Sequence, residues 1–255
     1  MAITRSGTHI GQDKKKRRFS MILKDWKLRH LSALLLAALL VAGFGWLRPE
    51  WSPMHRWNRA FGDASVVLVA IVMVLGPVSR LWRPAVAALP MRRELGIWGF
   101  TAGLVHAGFI LVGWVTWEWQ RLFGLEFHPA MEQYVMFDKG FGLANVIGIM
   151  ALIYAIVLSL TSNDASQRWL GMSVWKYFQQ GAYILWALIL AHTAYFLYMH
   201  FLDFHRQTPE PNLLRWPFVY LVLSVFALQI AASWRTWRQH GRRKSVRDEP
   251  VGNQG

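Results

Sequence analysis

The chain of 255 residues contains no cysteine. This absence excludes disulfide bonds, thiolate metal sites, iron–sulfur clusters and a c-type heme attached through cysteine. Acidic residues are also scarce, with 14 Asp and Glu against 28 Lys and Arg, and none of the long apolar segments carries a carboxylate in its middle. A redox group in this chain must therefore be held by histidine or methionine, or without a covalent bond.

Apolar residues are abundant. They make up 54% of the chain, which also holds 15 tryptophans and has a mean hydropathy of +0.23, as is typical of an integral membrane protein. Six apolar segments approach or exceed the roughly 20 residues that span a bilayer, and they lie at 31–47, 64–82, 95–117, 140–161, 175–202 and 214–234. We therefore predict an all-α integral membrane protein, a bundle of six transmembrane helices over residues 31–234. No internal repeat is visible in the sequence.

The basic residues, which give a formal net charge of +14, indicate the orientation in the membrane. They concentrate in two tails, 1–30 and 235–255, and in the segments 80–94 and 162–176, whereas the segment 118–139 is acidic and long enough for a short amphipathic helix. Because positive loops stay in the cytoplasm, both termini are predicted to be cytoplasmic. The third and fifth spans then run parallel to each other. The C-terminal tail is predicted to be partly disordered. This distribution favours membrane lipid as a partner and argues against nucleic acid.

Two of the nine histidines, His106 and His192, lie well inside apolar spans. An ionisable side chain at such a depth is costly, which makes each a functional candidate. At a rise of 1.5 Å per residue, His106 lies about 18 Å and His192 about 24 Å from the inner boundary, so both can serve one site. Two neutral imidazoles that face each other across a bundle can supply both axial positions of a b-type heme.

Small residues below His106 allow two interpretations. Gly99, Ala102 and Gly103 leave a shallow surface on which a flat macrocycle can rest. They also match a small-xxx-small contact between helices, in which case each histidine only forms a hydrogen bond with a neighbouring helix. The pattern alone leaves three alternatives open: heme ligation, structural or proton-handling histidines, and another metal.

Four stretches in series resemble the ferric-reductase-like transmembrane domain. They are "GPVSRLW" (76–82), "RRELGIWGFTAGLVH" (92–106), "TSNDASQRWLG" (161–171) and the fifth span, "WKYFQQGAYILWALILAHTAYF" (175–196). The resemblance covers most of 55–205 and points to the bacterial branch that contains the heme-binding membrane subunit of the periplasmic methionine sulfoxide reductase system. It implies a six-helix bundle in the bacterial inner membrane that passes electrons through heme b, with His106 and His192 as the axial ligands of the iron.

The sequence departs from that family at Gln179. The family's fifth span begins with a "Leu-His-x-x-x-Tyr" pattern, where this chain has Phe178, Gln179 and Tyr183. Gln179 precedes His192 by about 20 Å along a helix, too far for both to reach one porphyrin centre. Because glutamine is a poor iron ligand, we predict one heme, in the middle or outer half of the membrane, and we interpret Gln179 as a polar residue near the interface.

The chain shows no glycine-rich nucleotide-binding motif, so we predict an electron-transfer subunit rather than a complete reductase. Its donor is expected to be a membrane quinol or a cytoplasmic flavin reductase, and its acceptor a periplasmic protein. FMN is a second candidate cofactor. The basic inner face can dock an acidic donor or hold a flavin phosphate, through Arg80, Arg83, Arg92, Arg93 and Arg168. The alternative is a non-redox membrane protein, a transporter or assembly partner, that kept the fold without the cofactor.

Overall fold

The computed structural model describes the backbone of residues 25–200 and 213–247, and the side chains among these up to residue 240. The elements in chain order are α1 (Trp26–Trp46), α2 (Pro53–Leu81), α3 (Met91–Phe109), α4 (Trp119–Leu122), β1 (Leu125–His128), β2 (Gln133–Met136), α5 (Lys139–Thr161), α6 (Asp164–Leu170), α7 (Met172–Ala194) and α8 (Arg215–Arg247). A 3-10 helix at Arg83–Ala88 precedes α3, and π-helical turns continue α3 (Ile110–Trp114) and α7 (Tyr195–Met199). Most of the predicted N-terminal tail, the last eight residues and the end of the predicted fifth span lie outside the described residues.

The protein is mostly helical, and six of the described helices are long and apolar enough to cross a membrane. They are α1, α2, α3 with its π turn, α5, α7 with its π turn, and α8 as far as His240. This agrees with the predicted all-α membrane protein of six spans. Large apolar side chains such as Leu39, Leu160 and Ile230 are exposed on the outer surfaces of these helices. Such surfaces suit contact with lipid chains.

Short polar side chains mark where several of these helices begin. In α1, α5 and α6 the residue before the first turn accepts a hydrogen bond from a backbone N–H two or three residues later; these residues are Asp25, Asp138 and Asn163. Such N-caps satisfy donors that the helix itself leaves unpaired. Helix α2 begins instead with Pro53, whose fixed φ and missing N–H suit a first turn.

Helix α2 begins eleven residues before the predicted span 64–82, and this is a correction. Its first three turns contain polar and charged residues, which lower the local hydropathy. One of them, Asp63, forms a salt bridge with Arg48, with 2.6 Å between Arg48 Nη2 and Asp63 Oδ2. The prediction that no span carries a carboxylate in its middle was therefore wrong for α2, which contains Asp63. Its charge is compensated inside the bundle.

Helix α2 packs against most of the other spans. One core cluster joins it to α1 and α3, through Ala33, Ala37, Leu68 and Leu95. A second joins it to α7 and α8, through Val66, Val69, Ala70, Met73, Trp186 and Val225. A third cluster holds α5 against α7, through Ala151, Leu158 and Leu185. The bundle therefore consists of an α1–α2–α3 group and an α5–α7 pair, with α7 and α8 packed against α2.

Contacts at both ends of α3 and α7 show that these two helices run in the same direction. At the start of α3, Arg93 Nη1 lies 3.0 Å from Asp164 Oδ1 in α6, which leads into α7. Near the ends of the two helices, His106 and His192 are neighbours. We call the first end the arginine end and the second the hairpin end, because strands β1 and β2 pair antiparallel in the connection from α3 to α5. That connection was predicted to hold a short helix and has the single turn α4, but its hairpin was not predicted.

A partly buried ion pair connects α1 to α3 at the arginine end. Arg29 Nε lies 2.8 Å from Glu94 Oε1, and the Glu94 side chain is only 1% exposed. The ion pair between Arg93 and Asp164 provides a contrast, because those side chains are 40% and 74% exposed. A pair with a buried carboxylate is more costly to break than an exposed pair, because the buried group loses a hydrogen bond that water cannot fully replace, whereas exposed pairs contribute little.

We therefore expect Glu94→Gln to lower the unfolding free energy by about 1.5–3 kcal/mol, because it removes the buried carboxylate that accepts a charge-assisted hydrogen bond from Arg29. The matched change Asp164→Asn breaks the exposed pair and is expected to cost at most about 1 kcal/mol. Denaturation of the purified protein in detergent measures both. Equal losses for the two variants would contradict the distinction.

Candidate functional site

The two histidines that lie deep in apolar spans are neighbours in the structure. His106 belongs to the last turn of α3 and His192 to the last turn of α7. Their ring centroids are 6.3 Å apart, and the ring planes are nearly perpendicular at 84°. The structure thus brings together the two residues that were selected from the sequence as one candidate site.

Each imidazole is held by a hydrogen bond to a neighbouring helix. His106 Nδ1 lies 2.9 Å from the carbonyl oxygen of Asn58 in α2, and His192 Nδ1 lies 2.8 Å from that of Ala144 in α5. A carbonyl oxygen only accepts hydrogen bonds, so Nδ1 carries the hydrogen in both neutral rings and Nε2 keeps its lone pair. This tautomer binds metals through Nε2, and the bond at Nδ1 orients the ring.

The spacing of the rings fits one metal ion between them. A bond from imidazole nitrogen to a metal such as zinc is about 2.0–2.1 Å, and the ring centre lies about 1.1 Å behind the nitrogen, so two rings on opposite sides of an ion have centroids about 6.2–6.4 Å apart. The observed distance is 6.3 Å. Ordinary aromatic pairs also fall in this range. The second feature that suits a metal ion is that, among the described residues, both rings form their hydrogen bonds through Nδ1 alone.

Two glycines make room for these rings. Gly62 lies one turn after Asn58, and a Cβ there would lie 3.1 Å from His106 Nδ1. Gly148 lies one turn after Ala144, and a Cβ there would lie 2.7 Å from His192 Cε1. The histidines can approach the carbonyl groups because both facing helices lack a side chain at the point of contact.

The same arrangement occurs twice, at a constant offset along the chain. A shift of 86 residues takes Asn58 to Ala144, Gly62 to Gly148 and His106 to His192. Both histidine helices also continue into a π-helical turn just after the histidine, a feature that often occurs at functional sites. The structure thus contains two similar helix pairs, α2–α3 and α5–α7, although no repeat was recognised in the sequence.

A cavity of about 460 Å³ runs between these helices from the hairpin end to the arginine end. Its wall is predominantly apolar. Around the histidines it is lined by Asn58, Arg59, Trp114, Phe141, Phe196 and His200, and at the arginine end by Arg92, Arg93, Ser159, Ser162 and Gln179. A cavity of this size and character is typical of a site for an organic cofactor.

At the arginine end the cavity has no second histidine pair among the described residues. The positions thirteen residues before His106 and His192 are Arg93 and Gln179, which the same shift of 86 relates to each other. Gln179 Nε2 donates to Thr161 Oγ1 at 3.2 Å, and Arg93 pairs with Asp164. Neither side chain is a usual iron ligand. Gln179 lines the cavity at this end, and its position near the membrane interface stays a prediction.

The small residues below His106 serve mainly in helix packing. A Cβ at Gly99 would lie 3.3 Å from Leu68 Cβ, and one at Gly103 would lie 3.2 Å from Ser65 Oγ, both in α2. Ala102 lines a separate hollow beside α1. The small-xxx-small interpretation is the better one for the contact of α3 with α2, although Gly99 and Gly103 also border the cavity.

Sequence reasoning missed the residues that hold the imidazoles. Asn58 and Ala144 act through backbone carbonyl groups, which every residue type has, so composition and hydropathy give no signal for them. Gly62 and Gly148 were detectable only by a comparison of the two halves at a shift of 86 residues. Within the described residues no group of three or more His, Asp or Glu could hold a metal ion, so the metal candidate here is the histidine pair.

One comparison with known proteins bears on this site. A family model described as "Ferric reductase like transmembrane component" matches residues 61–190, which are 130 of the 255 residues. The match begins near the site in α2, contains His106 and Gly148, and ends two residues before His192. The chain therefore belongs to the ferric-reductase-like transmembrane family, and this membership indicates a role in membrane redox chemistry or electron transfer.

Proposed function

We propose that this protein is a heme b-binding electron-transfer subunit of the bacterial inner membrane, with His106 and His192 as the axial ligands of the iron. The observation that carries the proposal is the pair of Nδ1–H bonds to Asn58 and Ala144. These bonds hold two neutral imidazoles with their Nε2 lone pairs available, at a spacing suited to one iron. When bound, heme b supplies an iron that stores and releases one electron.

The side chains around the histidines support a heme better than an isolated ion. A structural zinc site needs four ligands, and no third His, Asp or Glu of the described residues joins the pair in a group that could hold a metal ion. Iron held in a macrocycle needs only two axial ligands from the protein, while the flat ring needs an apolar slot. The cavity wall beside the histidines includes the apolar residues Val66, Ile110 and Leu111.

We assign the arginine end to the cytoplasm and the hairpin end to the periplasm. The arginine end carries Arg80, Arg83, Arg92, Arg93 and Arg168, whereas the connection at the hairpin end carries Glu118, Glu126, Glu132 and Asp138. The bias of lysine and arginine toward the cytoplasm supports this orientation. The histidine pair then lies toward the periplasmic side, with the rest of the cavity reaching toward the cytoplasm.

This orientation defines where donor and acceptor approach. A membrane quinol or a cytoplasmic flavin reductase would deliver electrons at the arginine end, where Arg92 and Gln179 offer hydrogen-bond donors in the cavity wall. FMN is a further candidate there, since Arg92 and Arg93 can pair with its phosphate. The acceptor would be a periplasmic protein. Within the family, we favour for this chain the branch that contains the heme-binding membrane subunit of the methionine sulfoxide reductase system.

Removal of either histidine tests the proposal. We expect purified wild-type protein to show a Soret band that shifts on dithionite reduction, and His106→Ala and His192→Ala each to lose most of the bound heme, because one axial ligand cannot replace two. The matched control is His128→Ala, which removes a histidine from the hairpin. Full heme content in both site variants, or a colourless wild-type protein from heme-replete cells, would contradict the proposal.

The arginine end predicts the cofactor stoichiometry. Because Arg93 and Gln179 stand where a second histidine pair would be needed, we expect one heme per chain. Pyridine hemochrome absorbance, divided by protein concentration from amino-acid analysis, measures this ratio. A reproducible ratio of two would show that another pair of ligands binds a second heme.

The glycine beside His192 gives a more selective test. In Gly148→Ala the new methyl group would overlap the imidazole, so we expect His192 to lose its bond to Ala144 and heme to dissociate roughly tenfold faster or more. Gly108→Ala is the control, because a Cβ at Gly108 meets nothing within 4 Å. Transfer of heme to excess apomyoglobin gives the rates. Identical rates for the two variants would refute the role assigned to Gly148.

A further inference from the structure

Arg59 is a charged residue beside the histidine pair that the proposed function leaves without a role. It follows Asn58 in α2 and precedes Gly62 by three residues, so it belongs to the segment that holds His106. Its side chain is half-buried and lines the cavity. The guanidinium carbon lies 5.4 Å from the ring centre of Phe196, which also lines the cavity.

The charges near Arg59 do not balance. Asp63, one turn further along α2, is already paired with Arg48 at 2.6 Å, and the two side chains are only 17% and 7% exposed. Among the described residues, Arg59 has no carboxylate within 4.0 Å and no hydrogen-bond acceptor; its one partner is the Phe196 ring. Two arginines and one aspartate therefore leave one excess positive charge in this part of the bundle.

This excess charge points to an anionic group in the cavity. Arginine keeps its charge in proteins, and its five N–H groups need acceptors when they leave water. A carboxylate satisfies a guanidinium best, since it can accept two parallel hydrogen bonds. The neighbouring wall is apolar, as at Val66 and Ile110. The complementary ligand thus combines a flat apolar body with a carboxylate at its edge.

We propose that Arg59 binds a propionate carboxylate of the heme held between His106 and His192. This inference rests on the proposed function, because it requires heme in the site. Arg59 acts as a positioning residue: its charge pairs with one edge of the macrocycle, and its stacking on Phe196 fixes the direction of the guanidinium. It also places a positive charge near the iron, which favours the ferrous state.

The test compares holoprotein from wild type, Arg59→Leu and Arg59→Lys in detergent, with Arg121→Leu as the matched control. Arg121 lies at the same end of the bundle, pairs with Glu118 and does not line the cavity. We expect Arg59→Leu to release heme to apomyoglobin roughly tenfold faster or more and to have a more negative midpoint potential. Arg59→Lys should fall between, and Arg121→Leu should match wild type. Unchanged release and potential in Arg59→Leu would overturn the inference.

A change of cofactor separates a carboxylate contact from a general structural role. Protein from heme-limited cells is reconstituted with heme b or with its dimethyl ester, which lacks the carboxylate charges. Wild type should retain heme b longer than the ester, and Arg59→Leu should lose most of this preference. Equal retention of both forms by wild type, or an undiminished preference in Arg59→Leu, would overturn the inference. Neither result would affect the proposed function, which fails only if wild type binds no heme through the two histidines.

Discussion

The hydrogen bond from a buried imidazole to a backbone carbonyl connects the fold of this protein with its candidate chemistry. A neutral histidine inside a bilayer has no water to accept its N–H, so the neighbouring helix must supply the acceptor. His106 and His192 meet this requirement in the same way, on Asn58 and Ala144. Each bond selects the tautomer, orients the ring and leaves Nε2 directed away from the carbonyl. The bond of His106 needs the close approach of α2 to α3, and the bond of His192 needs that of α5 to α7.

The two ends of the cavity differ in the chemistry of equivalent positions. The same relation that pairs His106 with His192 pairs Arg93 with Gln179, thirteen residues earlier in each helix. Imidazoles suit a metal ion, whereas a guanidinium and an amide suit oxygen atoms of a ligand or partner. The bundle thus combines one candidate metal position, at the histidine pair, with one polar, basic position along a single cavity. This arrangement fits a protein that receives electrons at one side and holds one heme near the other.

Much of the fold was predictable because lipid requires long apolar helices, and hydropathy detects them. The histidine pair was predictable for a related reason, since His106 and His192 were the two histidines placed deep in such segments. The start of α2 was not, because Arg59 and Asp63 lower the hydropathy of a segment that is nevertheless helical, with Asp63 paired to Arg48 and Arg59 lining the cavity. The carbonyl partners of the histidines were hidden as well, since a backbone acceptor has no residue type. The glycine that admits each ring becomes informative only after the helix pairing is known.

The electron paramagnetic resonance spectrum of the oxidised protein tests the central claim most directly, because it reports both the axial ligands and the angle between them. Ferric heme between two imidazoles is low-spin, and nearly perpendicular rings give a strongly anisotropic signal with an unusually large highest g value. The 84° angle between the rings of His106 and His192 predicts one signal of this type, absent from both alanine variants. A high-spin signal, or a low-spin signal that survives the loss of either histidine, would contradict the account.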